Sequence, residues 1–139
     1  MCSSDLTNTF NKRGQLTQRQ STAAGSLPAM NLQYGYAAGA NNGQIATMTD
    51  GVSGEVVAYT YDSLKRLIKA ETTQTGGTQW GQSFGYDGFG NLVSKTPTAG
   101  HTGTSMSLSF DAATNRPTNA GFAFEIGRAS CRERVCLAV

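Results

Sequence analysis

The residues of this 139-residue chain best equipped for chemistry are a single histidine, a series of regularly spaced acids and three cysteines. His101, in TAGHTGTSM, would serve a serine-type triad only beside an acid and a strained nucleophile turn. No GxSxG elbow is present, so the ordinary reading is a solvated loop histidine. Asp62, Asp87 and Asp111 stand one to a block, with no other acid within five residues of any of them. A cation held there would be underliganded, which argues against a calcium loop or a carboxylate pair and for turn initiation. Gly85, Gly88 and Gly90 do not follow the order G-x-G-x-x-G, and no phosphate-loop Lys follows them. We therefore expect no catalytic, cofactor-binding or metal-binding residue, and no enzyme.

The aromatic residues offer a different chemistry. Tyr34, Tyr36, Tyr59, Tyr61, Phe84, Tyr86 and Trp80 could line a glycan surface, with Trp80 in GGTQWGQSFGY as the best exposed platform or else a cap on a neighbouring hairpin. Rings at alternate positions fit buried packing better. The alternative to a packing role is an extracellular carbohydrate-binding or adhesive repeat module.

The cysteines fall away for another reason. Cys2, Cys131 and Cys136 lie in two end segments, CSSDL and EIGRASCRERVC, that match nothing between them. Both read as translated sequencing adapter: TGC TCT TCC GAT CT spells Cys2 to Leu6, and a string containing the reverse complement of its core spells Ile126 to Val135. Residues 1–6 and 125–139 are accordingly set apart from the interior, 7–124. With them go all three cysteines, so their spacing licenses neither a disulfide nor a metal site. Three basic and three acidic residues leave together, and the interior keeps the formal +2.

That charge is too small for a nucleic-acid surface, and no Lys/Arg cluster interleaves with aromatics. No apolar run is long enough to span a membrane, and no signal peptide is recognisable. Only 38% of residues are apolar and 14% charged, with 17 glycines, a balance that favours short strands and turns over long helices.

Five blocks of the interior fall into register: TFNKRGQLTQRQ, YGYAAGANNGQIATMT, YTYDSLKRLIKAETT, FGYDGFGNLVSKT and LSFDAATNRPTNA. Their anchors are Phe10, Tyr36, Tyr61, Tyr86 and Phe110, at spacings of 26, 25, 25 and 24 residues. Two before the anchor stands Tyr34, Tyr59, Phe84 or Leu108, an alternation that predicts a strand. After it comes Asn11, Asp62, Asp87 or Asp111, able to start a turn by bonding the backbone two residues on. Leu16, Leu67 and Leu92 then open a second alternating run. Gly14, Gly90 and Asn91 suit the positive φ of tight hairpins, whereas Lys65 and Arg66 occupy positions where Gly would be usual. Each block predicts one β-hairpin, and because a lone hairpin is marginal the copies must lie side by side.

YTYDSLKRL and FGYDGFGNL resemble the tyrosine-aspartate (YD) repeat of the Rhs family of polymorphic-toxin proteins, and the likeness covers most of 7–124. The second block departs by three extra residues and Ala37 in place of Asp; the last has Phe110 for Tyr and Pro117, which marks an edge or a break in pairing. FAF at 122–124 resembles the opening of a sixth copy, a stub at Phe124. The resemblance implies an all-β strip of successive antiparallel hairpins that walls in a toxin or effector domain. It also implies a bacterial parent, secreted or at the cell surface, whose partners are neighbouring repeats and the enclosed cargo.

Overall fold

The structure is a computed structural model that describes residues 6–22, 28–73 and 79–119. The adapter-like ends, except Leu6, and the Phe124 stub lie outside them. The described residues are all-β, without a helix. Among the described residues nine strands form one antiparallel sheet in sequence order. They are β1 (Leu6–Phe10), β2 (Leu16–Thr22), β3 (Pro28–Tyr36), β4 (Ile45–Asp50), β5 (Val56–Tyr61), β6 (Leu67–Thr72), β7 (Gly81–Tyr86), β8 (Leu92–Pro97) and β9 (Met106–Ser107). Each of the first four blocks is one hairpin: β1–β2, β3–β4, β5–β6 and β7–β8. β1 takes in Leu6, which pairs with Ser21, so the strand starts one residue before the interior boundary read from the sequence.

Every hairpin carries the same irregularity. The anchor pairs with the first residue of the return strand, as Tyr61 with Leu67 and Tyr86 with Leu92, and the register then slips by one. One extra residue, Ile68 or Val93, is therefore accommodated beside the turn, as in a type I turn closed by a bulge. The same slip follows Phe10 and Tyr36.

Because cross-strand partners share a face, the pairing sorts the side chains. Leu32, Tyr34, Met48, Val57, Tyr59, Ala70, Thr72, Gln82 and Phe84 fall on one face; Gln33, Thr47, Thr49, Thr60, Lys69 and Ser83 fall on the other. The first face holds what core there is. Val57 is fully buried and Ala70 and Thr72 nearly so, while the tyrosines and Phe84 are half-buried. With no second layer among the described residues, the sheet is a single ply: the first face carries the rings together with Arg19, Asp50 and Lys95, and the second is mostly polar but includes Val56 and Ala58.

A separate unit begins at Leu108. In it Phe110 pairs with Pro117 by an isolated bridge, and Thr118 N–H donates to the Ser109 carbonyl at 2.8 Å. Pairing there stops short of a ladder, as expected at a proline without an N–H.

Candidate functional site

Four of the turns are each built around one carboxylate or carboxamide, that of Asn11, Asp62, Asp87 or Asp111. Asn11 Oδ1 accepts from the Arg13 and Gln15 amides at 2.9 and 3.1 Å. Asp87 Oδ1 accepts from Phe89 and Asn91, both at 2.9 Å. Asp62 Oδ1 accepts from the Arg66 amide at 2.8 Å, and Asp111 Oδ1 from Ala113 and Thr114 at 3.1 and 2.7 Å. The turn role expected of these residues is thus present atom by atom.

Ionisation follows from these bonds. The Asn91 carboxamide, then the backbone amides, hold Asp87 below the ordinary carboxylate value. Thr114 does the same for Asp111 through its hydroxyl and amide. Burial pulls Asp62 upward, but the Arg66 amide, guanidinium and charge outweigh it and the net shift is downward.

Three residues beyond the acid or amide, the chain turns left-handed: Gly14 at φ 73°, Gly90 at 89° and Lys65 at 64°. Lys65 therefore takes the glycine conformation despite its Cβ, which the position demands because its N–H closes the turn on the Asp62 carbonyl at 3.0 Å. Asn91 does not have positive φ. That expectation is corrected: Gly90 alone carries the left-handed step, and the Asn91 carboxamide donates to Asp87 Oδ2 at 2.8 Å instead.

Between hairpins the anchors act as stitches. Tyr36 Oη donates to the Leu16 carbonyl at 2.8 Å, Tyr61 Oη to Ile45 at 3.0 Å and Tyr86 Oη to Leu67 at 2.8 Å. In each case the acceptor is the first residue of the preceding hairpin's return strand. The anchor phenol thus serves to fix one hairpin on the one before it, a use that the ring-burial argument did not foresee. Phe10 and Phe110 lack the hydroxyl.

A second set of contacts runs along the turns themselves. Gln15 and Asn41 exchange carboxamide bonds at 3.0 and 2.7 Å, and Arg13 Nη1 reaches the Asn41 carbonyl at 3.0 Å. Gln44 Nε2 donates to the Lys65 carbonyl at 3.3 Å, and Arg66 Nη1 to Asp87 at 3.3 Å. The Arg66 guanidinium also pairs with Asp62 at 2.7 Å and lies 4.7 Å from the centroid of the Tyr86 ring. This cation–π contact joins the third hairpin to the fourth. In the longer second turn, Asn41 and Asn42 take over the missing Asp role, accepting from the Gly43 and Gln44 amides.

At the opposite edge, Asp50 builds a further turn that the repeat pattern did not announce: it accepts from Val52 at 2.9 Å and Ser53 at 2.7 Å, and Gly54 takes φ 77°. Its signal was the DGVSG composition, overlooked because it lies between blocks. Trp80 is half-buried, and its indole N–H donates to Glu55 Oε1 at 2.6 Å. It joins neighbouring hairpins in place of presenting a free platform. His101 is not solvated either. It is half-buried, with Nε2 3.1 Å from the Thr72 carbonyl and Nδ1 3.0 Å from that of Ala99, so it pins the loop after β8 onto the end of β6. Among the described residues no group of three or more His, Cys, Asp or Glu side chains is placed to hold a metal, and no helix is long and apolar enough to cross a membrane.

The acid at the turn, the left-handed residue, the bulge and the tyrosine stitch occur together in the third and fourth hairpins, and the first two carry part of the set. Residues 41–79, which include β4, β5 and β6, match the family model described as RHS Repeat. No curated protein matches the chain. Over residues 41–79, and in the hairpins that repeat on either side of them, the chain is similar to Rhs/YD-repeat proteins.

Proposed function

We propose that this chain is non-catalytic walling: a strip of a casing that encloses a toxin or effector domain until delivery, in a secreted or surface-exposed bacterial parent. The observation that carries the reading is the repeated stitch. Tyr36, Tyr61 and Tyr86 bind three successive hairpins to the preceding ones by one rule, so the sheet grows by addition and needs no opposing layer. One face of that sheet carries the rings and the other is mostly polar, as a wall between cargo and solvent requires. Its nearest partners are then the neighbouring repeats, and its cargo lies against the aromatic face.

The test uses the parent protein expressed from its contiguous locus. Limited proteolysis should leave an enclosed domain intact in the native protein. Replacing the three stitching tyrosines by Phe should expose that domain to cleavage. A domain cut equally fast in both proteins would remove the casing reading.

A further inference from the structure

Successive turns of a sheet built in sequence order fall on alternate edges, so the turns of the four hairpins share one edge and the β4–β5 turn lies on the other. The shared edge carries the two most exposed large apolar side chains among the described residues, Phe89 at 76% and Leu64 at 70%. Each stands two residues beyond its turn acid, in adjacent hairpins about 10 Å apart. The turn does not require them. It uses the backbone N–H at that position, which at Phe89 donates to Asp87 Oδ1, and the first hairpin makes the same bond from Arg13. Lys65 and Arg66 sit beside Leu64, and Lys12 and Arg13 stand on the same edge in the first turn. Its acids are Asp62, bonded to the Arg66 guanidinium, and Asp87, bonded to the Asn91 carboxamide. Four cations against two acids leave the edge with a formal +2. On the opposite edge, the β4–β5 turn sets Val52 between Asp50 and Glu55 and holds no Lys or Arg.

We propose that this edge docks on an anionic lipid surface, with Leu64 and Phe89 entering the boundary between headgroups and acyl chains and the flanking cations facing the headgroups. Hairpin tips project their side chains singly. A fluid surface admits each one as it comes, whereas a folded protein partner would have to supply a matching hollow for both. Apolar burial and attraction to negative headgroups add, and this edge offers both within one short row. The two tips also enter as a unit. Arg66 Nη1 reaches the Asp87 carbonyl at 3.3 Å and its guanidinium lies 4.7 Å from the centroid of the Tyr86 ring, which ties the third turn to the fourth. Left-handed Lys65 and Gly90 keep both loops tight. The contact is peripheral and uses no stitching hydroxyl, so it stands apart from the casing role.

The experiment is flotation of the full chain with vesicles of phosphatidylcholine alone and of phosphatidylcholine mixed with phosphatidylglycerol, at low and high salt. We expect binding to the anionic vesicles, weakened by salt. Leu64→Ser combined with Phe89→Ser should reduce it about tenfold or more, with circular dichroism unchanged because both side chains are exposed. Val52→Ser, on the opposite edge, should bind as the parent chain does. Phe89→Trp should add an emission that shifts to the blue on anionic vesicles and is quenched by brominated lipid, beyond what Trp80 of the parent chain shows. No flotation with anionic vesicles, equal flotation with neutral ones, or binding that survives the double substitution would each overturn the proposal. Self-association that the double variant loses, without vesicle binding by the parent chain, would assign the tips to a second copy and overturn it as well.

Discussion

Replacing Tyr36, Tyr61 and Tyr86 together by Phe removes three hydroxyls and leaves the rings in place. Each hydroxyl makes one bond of 2.8 to 3.0 Å to a backbone carbonyl in a half-buried setting. Such a bond contributes about 1 kcal/mol net, because the unfolded chain offers both groups to water. The three sites lie one hairpin apart, roughly 10 Å, so their losses should add to about 3 kcal/mol. Against a total of about 5–15 kcal/mol for an ordinary domain this is a large fraction, equivalent to on the order of 15 °C in Tm. Urea unfolding of the full chain followed by far-ultraviolet circular dichroism reads the change. Tyr59→Phe is the control: its hydroxyl lies 3.9 Å from Met48 Sδ, a weak contact whose loss should cost under about 0.5 kcal/mol. If the triple variant unfolds at the same urea concentration as this control, the stitches contribute nothing and the reasoning fails.

Lys65→Gly should stabilise by about 0.5–1 kcal/mol, since the side chain now holds φ 64°; a lower midpoint would show that Lys65 makes a contact worth more than its strain. Arg66→Lys keeps the charge but loses the planar group over Tyr86, and thermal melts should fall by an amount equivalent to about 0.5–1 kcal/mol, with Arg66→Ala falling further. Acid should weaken the sheet. Asp50, Asp62, Asp87 and Asp111 all have folded values below the ordinary 3.8, so their contribution is complete above that value and is lost as pH falls through the folded ones. A urea midpoint that rises on acidification below about pH 4 would contradict the sign. Finally, β1 is exposed along its whole length, with Leu6 and Phe10 55% and 58% exposed. Thr7→Lys should lower self-association measured by sedimentation, because charge on an open edge disfavours strand addition.

Much of this architecture was legible because its determinants are local. The YTYDSLKRL and FGYDGFGNL blocks carry a strand alternation, a turn-starting acid and a return strand within a few residues, and each became one hairpin. The αL position was legible at Gly14 and Gly90 but assigned one residue too far at Asn91, whose side chain suits either role. What the sequence hid was long-range. Nothing near Tyr61 announces that its hydroxyl meets Ile45, 16 residues earlier, nor that Arg66 spans to the turn of the next hairpin. His101 reads as a solvated loop residue and Trp80 as an exposed platform or a hairpin cap because their partners, Thr72 and Glu55, are 29 and 25 residues away.

The direction of the tyrosine bonds has a consequence for biosynthesis. Every acceptor carbonyl precedes its phenol, by 20 residues at Tyr36, 16 at Tyr61 and 19 at Tyr86. A ribosome therefore always delivers the docking point before the group that docks, and each emerging segment meets a finished template behind it. Vectorial synthesis and the order of assembly coincide, so each newly made hairpin covers the edge left by the one before it.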